Sequence, residues 1–229
     1  MRYAAVFMTL GGLLVWQAVR ISPWIGWLVC WAGVSCLLVG AAYAGLGPRV
    51  FGKRPDGRLA WWSRLLLLPY LAAYQLLWHV VRITGHEPAC HQVAKGVYLG
   101  RRPLLSDLPK GVARIVDLCV EFPALPALIA PLRYSALPAL DAGLADIEAF
   151  RCLVDEVASD DGSVYIHCAS GHGRGAMFAA ALLIARGESA TVEEAETMLR
   201  AARPGVKMSS RQRAFVQRAT TKQVIPFPA

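Results

Sequence analysis

The first 46 residues carry only two charged side chains, Arg2 and Arg20. A stretch so poor in charge is buried, either in protein or in lipid. Residues 20–23, Arg-Ile-Ser-Pro, divide it into two apolar runs, 3–19 and 24–46, because a proline cannot continue the first helix. At 1.5 Å per residue the second run reaches about 34 Å, enough for a hydrocarbon core of about 30 Å, and the first is near the lower limit. A cleaved signal peptide is the alternative for the first run. Its n-region is a single Arg2, however, and no clear small-residue cleavage site precedes the second run. The pattern implies a transmembrane helical hairpin.

Residues 47–58 hold four bases, Arg49, Lys53, Arg54 and Arg58, against one acid, Asp56, which by the positive-inside tendency places this loop in the cytoplasm. The next segment, 59–85, is apolar and rich in Trp and Tyr but contains Arg64, Pro69, Gln75, His79 and Arg82. Charges inside a span are expensive, so an interfacial helix is favoured over a third crossing. That choice keeps everything after it on the cytoplasmic side, with Gln75 and His79 facing headgroups.

The formal charge of +8 belongs mainly to this section: residues 1–85 carry eight Lys/Arg and one acid, and residues 86–229 carry sixteen bases and fifteen acids. Without a zinc-finger spacing, an RNP-type motif or a basic zipper, the charge does not indicate a nucleic-acid partner. The six cysteines show no paired spacing of a disulfide framework. His86, Cys90 and His91 lie close together but lack a second ligand cluster, and they read as linker rather than as a metal site. The implied division is 1–58 hairpin and basic loop, 59–92 interfacial or third membrane helix with linker, and 93–229 soluble domain.

In that domain residues 96–100 and 113–120 read as strands, the second buried on both faces. After a Pro-rich loop, an amphipathic helix runs over about 144–157, with Ile147, Phe150, Leu153, Val154 and Val157 on one face. Residues 163–167 form another buried strand, and 176–186, 192–202 and 210–219 read as helices. This order implies an α/β fold with a mostly parallel central sheet flanked by helices.

"HCASGHGRG", residues 167–175, joins the 163–167 strand to the following helix. At such a junction the helix's first N–H groups are unpaired and its dipole is positive, which suits an anion. Gly171, Gly173 and Gly175 let successive N–H groups turn inward, and Arg174 adds a planar fork for two oxygens. Ala169, Ser170, Gly171, His172, Gly173 and Arg174 together make a cradle for a phosphate monoester. At its floor the same groups favour the thiolate of Cys168, making it a nucleophile aimed at phosphorus. His167 orients the loop by hydrogen bonding.

The run His167-Cys168-Ala169-Ser170-Gly171-His172-Gly173-Arg174 resembles the signature of the cysteine-dependent protein tyrosine phosphatase superfamily, and the short domain resembles its dual-specificity branch over roughly residues 93–220. The resemblance implies that Cys168 forms a phosphocysteine and Arg174 clamps the phosphoryl group, with no metal or other cofactor. It also implies an upstream aspartate that protonates the leaving oxygen and then activates water. Asp141, 27 residues before Cys168, fits that place; a helix N-cap is its structural alternative, and Asp146 is the alternative acid. Asp117, Asp160 and Asp161 read as structural. Arg203-Pro204 resembles the turn found downstream of the signature, and Gln212 lies near the place of a water-orienting glutamine, although a surface helix position is the simpler reading for it.

The chain departs from that pattern at Gly175, where a Ser or Thr hydroxyl usually stabilises the leaving thiolate, and His172 adds a cation at the loop's mouth. The implied function is a multi-pass membrane-anchored phosphatase acting on phosphotyrosine or phosphoserine/threonine proteins. Phospholipid or phosphoinositide headgroups are the alternative substrates. The C-terminal series Arg200, Arg203, Lys207, Arg211, Arg213, Arg218 and Lys222 suits an anionic surface as well as it suits a solvated face. Gly175 also admits a phosphate-binding pseudophosphatase. A rhodanese-like sulfurtransferase does not require His167 and Arg174 together.

Overall fold

The computed structural model describes residues 2–129 and 131–221. It divides into two compact units, one of Met1–Glu87 with Cys119–Leu125 and Pro138–Leu140, the other of the remaining residues.

The first unit is helical. Helices α1 (Arg2–Ala18) and α2 (Pro23–Ala41) run antiparallel, with Pro23 in the first turn of α2, where a missing N–H costs nothing. Small residues bring the backbones together: a Cβ on Gly26 would lie 2.5 Å from Ala18 O, and one on Gly11 would lie 2.8 Å from Gly33 O. The expected run to residue 46 is helical only to Ala41, then opens into a wide turn at Ala42–Leu46 and a tight one at Gly47–Phe51. Pro23–Phe51, 29 residues, is the one helical stretch among the described residues long and apolar enough to cross a membrane, and α1 has 17.

Residues 61–84 form two helices, α3 (Trp61–Leu66) and α4 (Leu68–Thr84), with Pro69 opening the second. Both dock on α2: Trp31 Nε1 donates to Leu65 O at 3.0 Å, and Tyr70 N donates to Ser35 Oγ at 3.4 Å. The core of this unit joins Val39, Ala42, Phe51 and Leu67 to Val120 and Leu140 from the two later segments. The basic loop is ordered: Ala124 N donates to Gly57 O at 2.8 Å, and Lys53 Nζ donates to Cys119 O. Large apolar side chains nevertheless stay exposed around the helices, among them Trp24, Trp27, Trp61, Leu76 and Val81.

The second unit is built on a five-stranded sheet in the order β1-β2-β5-β3-β4. Its strands are β1 (Cys90–Ala94), β2 (Val97–Arg101), β3 (Val112–Cys119), β4 (Arg133–Ala139) and β5 (Ser163–Cys168). β2 and β3 each pair in parallel with the central β5, and β1 is antiparallel to β2. Two strands correct the sequence reading, which placed 90–92 in the linker and 133–139 in a Pro-rich loop. Both are sheet edges, where pairing on one side suffices and Pro138 is tolerated.

Short helix α5 (Pro126–Ile129) precedes β4, and α6 (Ile147–Ala158) follows it. Central helix α7 (Arg174–Ala185) leaves β5 after one loop, and its first ten residues are buried. It begins two residues before the expected Ala176, because Met177 N already donates to Gly173 O at 2.8 Å. Helices α8 (Val192–Ala202) and α9 (Ser210–Thr220) match their sequence ranges within a residue. The rings of Phe178 on α7 and Phe215 on α9 both pack edge-on against Phe150 on α6, at 5.4 and 5.0 Å between centroids, locking α7 in place behind the sheet.

Candidate active site

Cys168 is the last residue of β5 and Arg174 the first of α7, so the five residues between them must reverse direction over the carboxyl end of the sheet. Their carbonyls are held from outside. Ala169 O accepts from Arg102 N at 3.3 Å, Ser170 O from Arg203 Nη2 at 2.9 Å, and His172 O from Lys207 N at 3.0 Å. In a trans peptide the N–H points opposite to the C=O. The N–H groups of Ser170, Gly171 and Gly173 therefore point away from those three donors. Gly171 N donates to Cys168 Sγ at 3.2 Å.

Glycine at 171 is required twice over. Its φ is +78°, and a Cβ there would lie 2.4 Å from Gly100 O. Gly173 faces the Gln212 side chain, 3.4 Å from where its Cβ would stand. Gly175 corrects the sequence reading: it lies in the first turn of α7, where a Cβ would be 3.0 Å from Leu99 Cδ1, and it serves helix-to-strand packing rather than the turn of the loop.

Arg174 is 1% exposed, and its Nη2 lies 3.4 Å from Asp141 Oδ1. Asp141 itself is exposed. The helix-capping role considered for it belongs to Asp146, whose Oδ1 accepts from Ala149 N at 2.9 Å at the start of α6. His167 is buried in β5 with Nδ1 3.7 Å from Asp117 Oδ1, and Tyr134 OH donates to the other oxygen of Asp117. Asp160 also works structurally: the Gly162 N–H, then Arg133 and Arg114, hold its carboxyl below the usual range against the opposing effect of desolvation.

Two residues behind the loop are more important than their sequence suggested. Arg203 is fully buried, donating to Pro88 O at 3.2 Å as well as to Ser170 O, with Nη1 3.0 Å from His91 Nδ1. Gln212 is buried rather than on the surface, and its Oε1 accepts from Ser209 N at 2.9 Å in a capping box at the start of α9. The only sequence signals were the Arg-Pro pair after an amphipathic helix and the Ser-x-x-Gln spacing. The basic series divides accordingly: Arg213 pairs with Glu196 at 2.5 Å, while Arg200, Lys207, Arg211 and Arg218 are exposed and Lys222 lies outside the described residues.

The loop thus carries a buried thiol, Cys168, bonded by the Gly171 N–H, and ends on a buried guanidinium, Arg174. The family model of the Swiss Army Knife protein, DSP-PTPase phosphatase domain, matches residues 103–225. The chain belongs to this DSP-PTPase family. No curated protein matches it. Among solved structures, PTPMT1 in complex with PI(5)P is 20% identical with a TM-score of 0.51, covering 58% of this chain and 94% of its own. Tk-PTP in the active form is 22% identical with a TM-score of 0.51, covering 59% and 98%. At these identities the likeness is one of fold, and the family match, 103–225, begins after the N-terminal helices. The chain is thus a phosphatase of the DSP/PTP superfamily.

Proposed function

We propose that the chain is a membrane-anchored cysteine phosphatase that hydrolyses phosphate monoesters of phosphotyrosine or phosphoserine/threonine proteins through a phosphocysteine. The observation that carries this reading is Cys168 Sγ under the Gly171 N–H, with buried Arg174 next to it and Asp141 at 3.4 Å from that guanidinium.

Arg174 and the N–H groups of Ser170, Gly171 and Gly173 bind the phosphoryl oxygens and stabilise the charge that spreads over them in the transition state. The Cys168 thiolate attacks phosphorus, a P–S bond forms and the P–O ester bond breaks. Asp141 gives its proton to the leaving oxygen. Water then attacks the phosphocysteine, Asp141 takes the water's proton, and the thiolate leaves with phosphate released. Gln212, against Gly173, is placed to hold that water. His167, backed by Asp117, orients the strand end that carries Cys168.

The helical unit anchors the enzyme as a hairpin, its exposed apolar side chains in lipid and the 47–58 bases at the cytoplasmic face. That compartment keeps the Cys168 thiol reduced, and all six cysteines are free. A phospholipid headgroup is the second reading. It is favoured by exposed Lys207, whose backbone is bonded to His172 of the loop, and by exposed Arg211 at the start of α9.

The test is hydrolysis of an aryl phosphate by the full-length protein in detergent and chelator, with Cys168→Ser as control. Activity that is inhibited by vanadate and absent in the serine variant supports the reading and opens a screen of phosphopeptides against phospholipids. Phosphate binding by the wild type without turnover on any of these overturns it in favour of a binding module.

A further inference from the structure

Asp141 presents a positioning problem. Its side chain is 53% exposed and it caps no helix, yet its carboxylate stands 3.4 Å from a guanidinium that is almost completely buried. An exposed side chain with a free backbone would sample many orientations, so the placement has to come from the residues on either side.

The preceding residue, Leu140, is buried in the core of the helical unit with Val39, Ala42, Phe51, Leu67 and Val120. The following residue, Ala142, has φ +53° and is the one non-glycine with positive φ among the described residues. That region disfavours any residue with a Cβ and is essentially closed to β-branched ones. Ala142 is exposed, so no side-chain packing at this position accounts for the conformation. The chain is therefore fixed before Asp141 by burial and turned after it by a left-handed residue.

We infer that Leu140 and Ala142, the residues on either side of Asp141, are positioning residues for acid catalysis. The inference rests on the reading of Asp141 as the acid. A leaving group that is already stable as an anion needs little protonation, and one that is not needs the acid in place. Loss of positioning should therefore appear as leaving-group dependence while the phosphate cradle stays intact.

The experiment compares full-length wild type, Asp141→Asn, Leu140→Ala, Ala142→Val and Ala142→Gly in detergent. Each is assayed on 4-nitrophenyl phosphate and phenyl phosphate, with vanadate inhibition as a readout of the cradle. Asp141→Asn should slow phenyl phosphate turnover by about 10²–10⁴-fold. Leu140→Ala and Ala142→Val should lower kcat/KM for phenyl phosphate by roughly 10²-fold, with vanadate inhibition and kcat/KM for 4-nitrophenyl phosphate, which report only steps up to phosphoenzyme formation, within about threefold of wild type. Ala142→Gly, free to adopt the left-handed turn, should keep wild-type behaviour. If Asp141→Asn becomes leaving-group dependent while Leu140→Ala and Ala142→Val match wild type, the inference fails and the phosphatase reading stands. Loss of both substrates and of vanadate inhibition together in the two positioning variants also overturns it, because the residues then serve only the fold. An inactive wild type, or an Asp141→Asn variant indistinguishable from it, counts against the underlying reading.

Discussion

Arg174 Nη2 and Asp141 Oδ1 are 3.4 Å apart, although one belongs to the first turn of α7 and the other follows β4. An exposed carboxylate thus stands beside a guanidinium that is almost fully buried. In the proposed mechanism the two groups divide the work between phosphoryl and leaving oxygens. Replacing the guanidinium by an ammonium keeps the charge but removes the planar fork that can bind two oxygens. Arg174→Lys should lower kcat/KM for an aryl phosphate by about 10²–10³-fold, the usual cost of losing one transition-state donor. Steady-state kinetics check this, and a variant within a few-fold of wild type would show that Arg174 does not clamp the phosphoryl group.

Gly171 and Gly175 should respond oppositely to added side chains. At Gly171 a Cβ meets backbone, Gly100 O at 2.4 Å, in a left-handed conformation, so Gly171→Ala should abolish vanadate inhibition and lower the thermal midpoint. At Gly175 a Cβ meets the tip of a flexible side chain, Leu99 Cδ1 at 3.0 Å, with Cys168 N at 3.5 Å. Gly175→Ser should fold and place a hydroxyl beside the thiolate that leaves when phosphocysteine breaks down. The expected outcome is a higher kcat, read in a rapid-quench experiment as less phosphoenzyme at steady state. A loss of activity with an unchanged melting profile would contradict it.

The α/β class, the strand-loop-helix around Cys168 and the positions of α8 and α9 are legible in the sequence because each rests on a local pattern. Three apolar residues in succession mark β5, and an Ala-rich run marks α7. Edge strands β1 and β4 are not legible, since one-sided pairing leaves no strong alternation, and Pro138 inside β4 suggests a loop. The site is legible where residues are contiguous, as in 167–174. It is not legible where burial decides the role: Arg203 and Gln212 look like surface polar residues until the fold closes over them. Spacing favours Asp141 over Asp146 as the acid but leaves open which of them caps a helix, and the bond from Ala149 N gives the cap to Asp146.

Arg203 should contribute more stability than any other member of the basic series. It is fully buried, and its charge is distributed over the carbonyls of Pro88 and Ser170. Hydrogen bonds to a charged group are the stronger kind, and truncation would leave buried acceptors unsatisfied. Arg203→Ala should therefore cost on the order of 3 kcal/mol, with lost activity because Ser170 is released. Exposed Arg218→Ala should change the thermal midpoint little. Equal midpoints for the two variants would argue that Arg203 is dispensable to the loop.

Glu196 ties the acid stability of the second unit to one pair of helices. The Arg213 guanidinium, and then the Met208 N–H, hold its carboxyl below the usual glutamate range, and burial only partly opposes them. A carboxyl whose value is lower in the folded protein favours folding at any pH above its unfolded value, and that contribution disappears as pH falls through the folded value. The thermal midpoint should therefore begin to drop near the ordinary glutamate value of about 4.3 and continue dropping below it. Glu196→Gln keeps the shape of the side chain but cannot titrate, so it should lower the midpoint at neutral pH and flatten the acid slope. Melting curves taken across that range for wild type and Glu196→Gln test this, and parallel slopes for the two proteins would assign the acid dependence to other carboxylates, with Asp160 the first to examine.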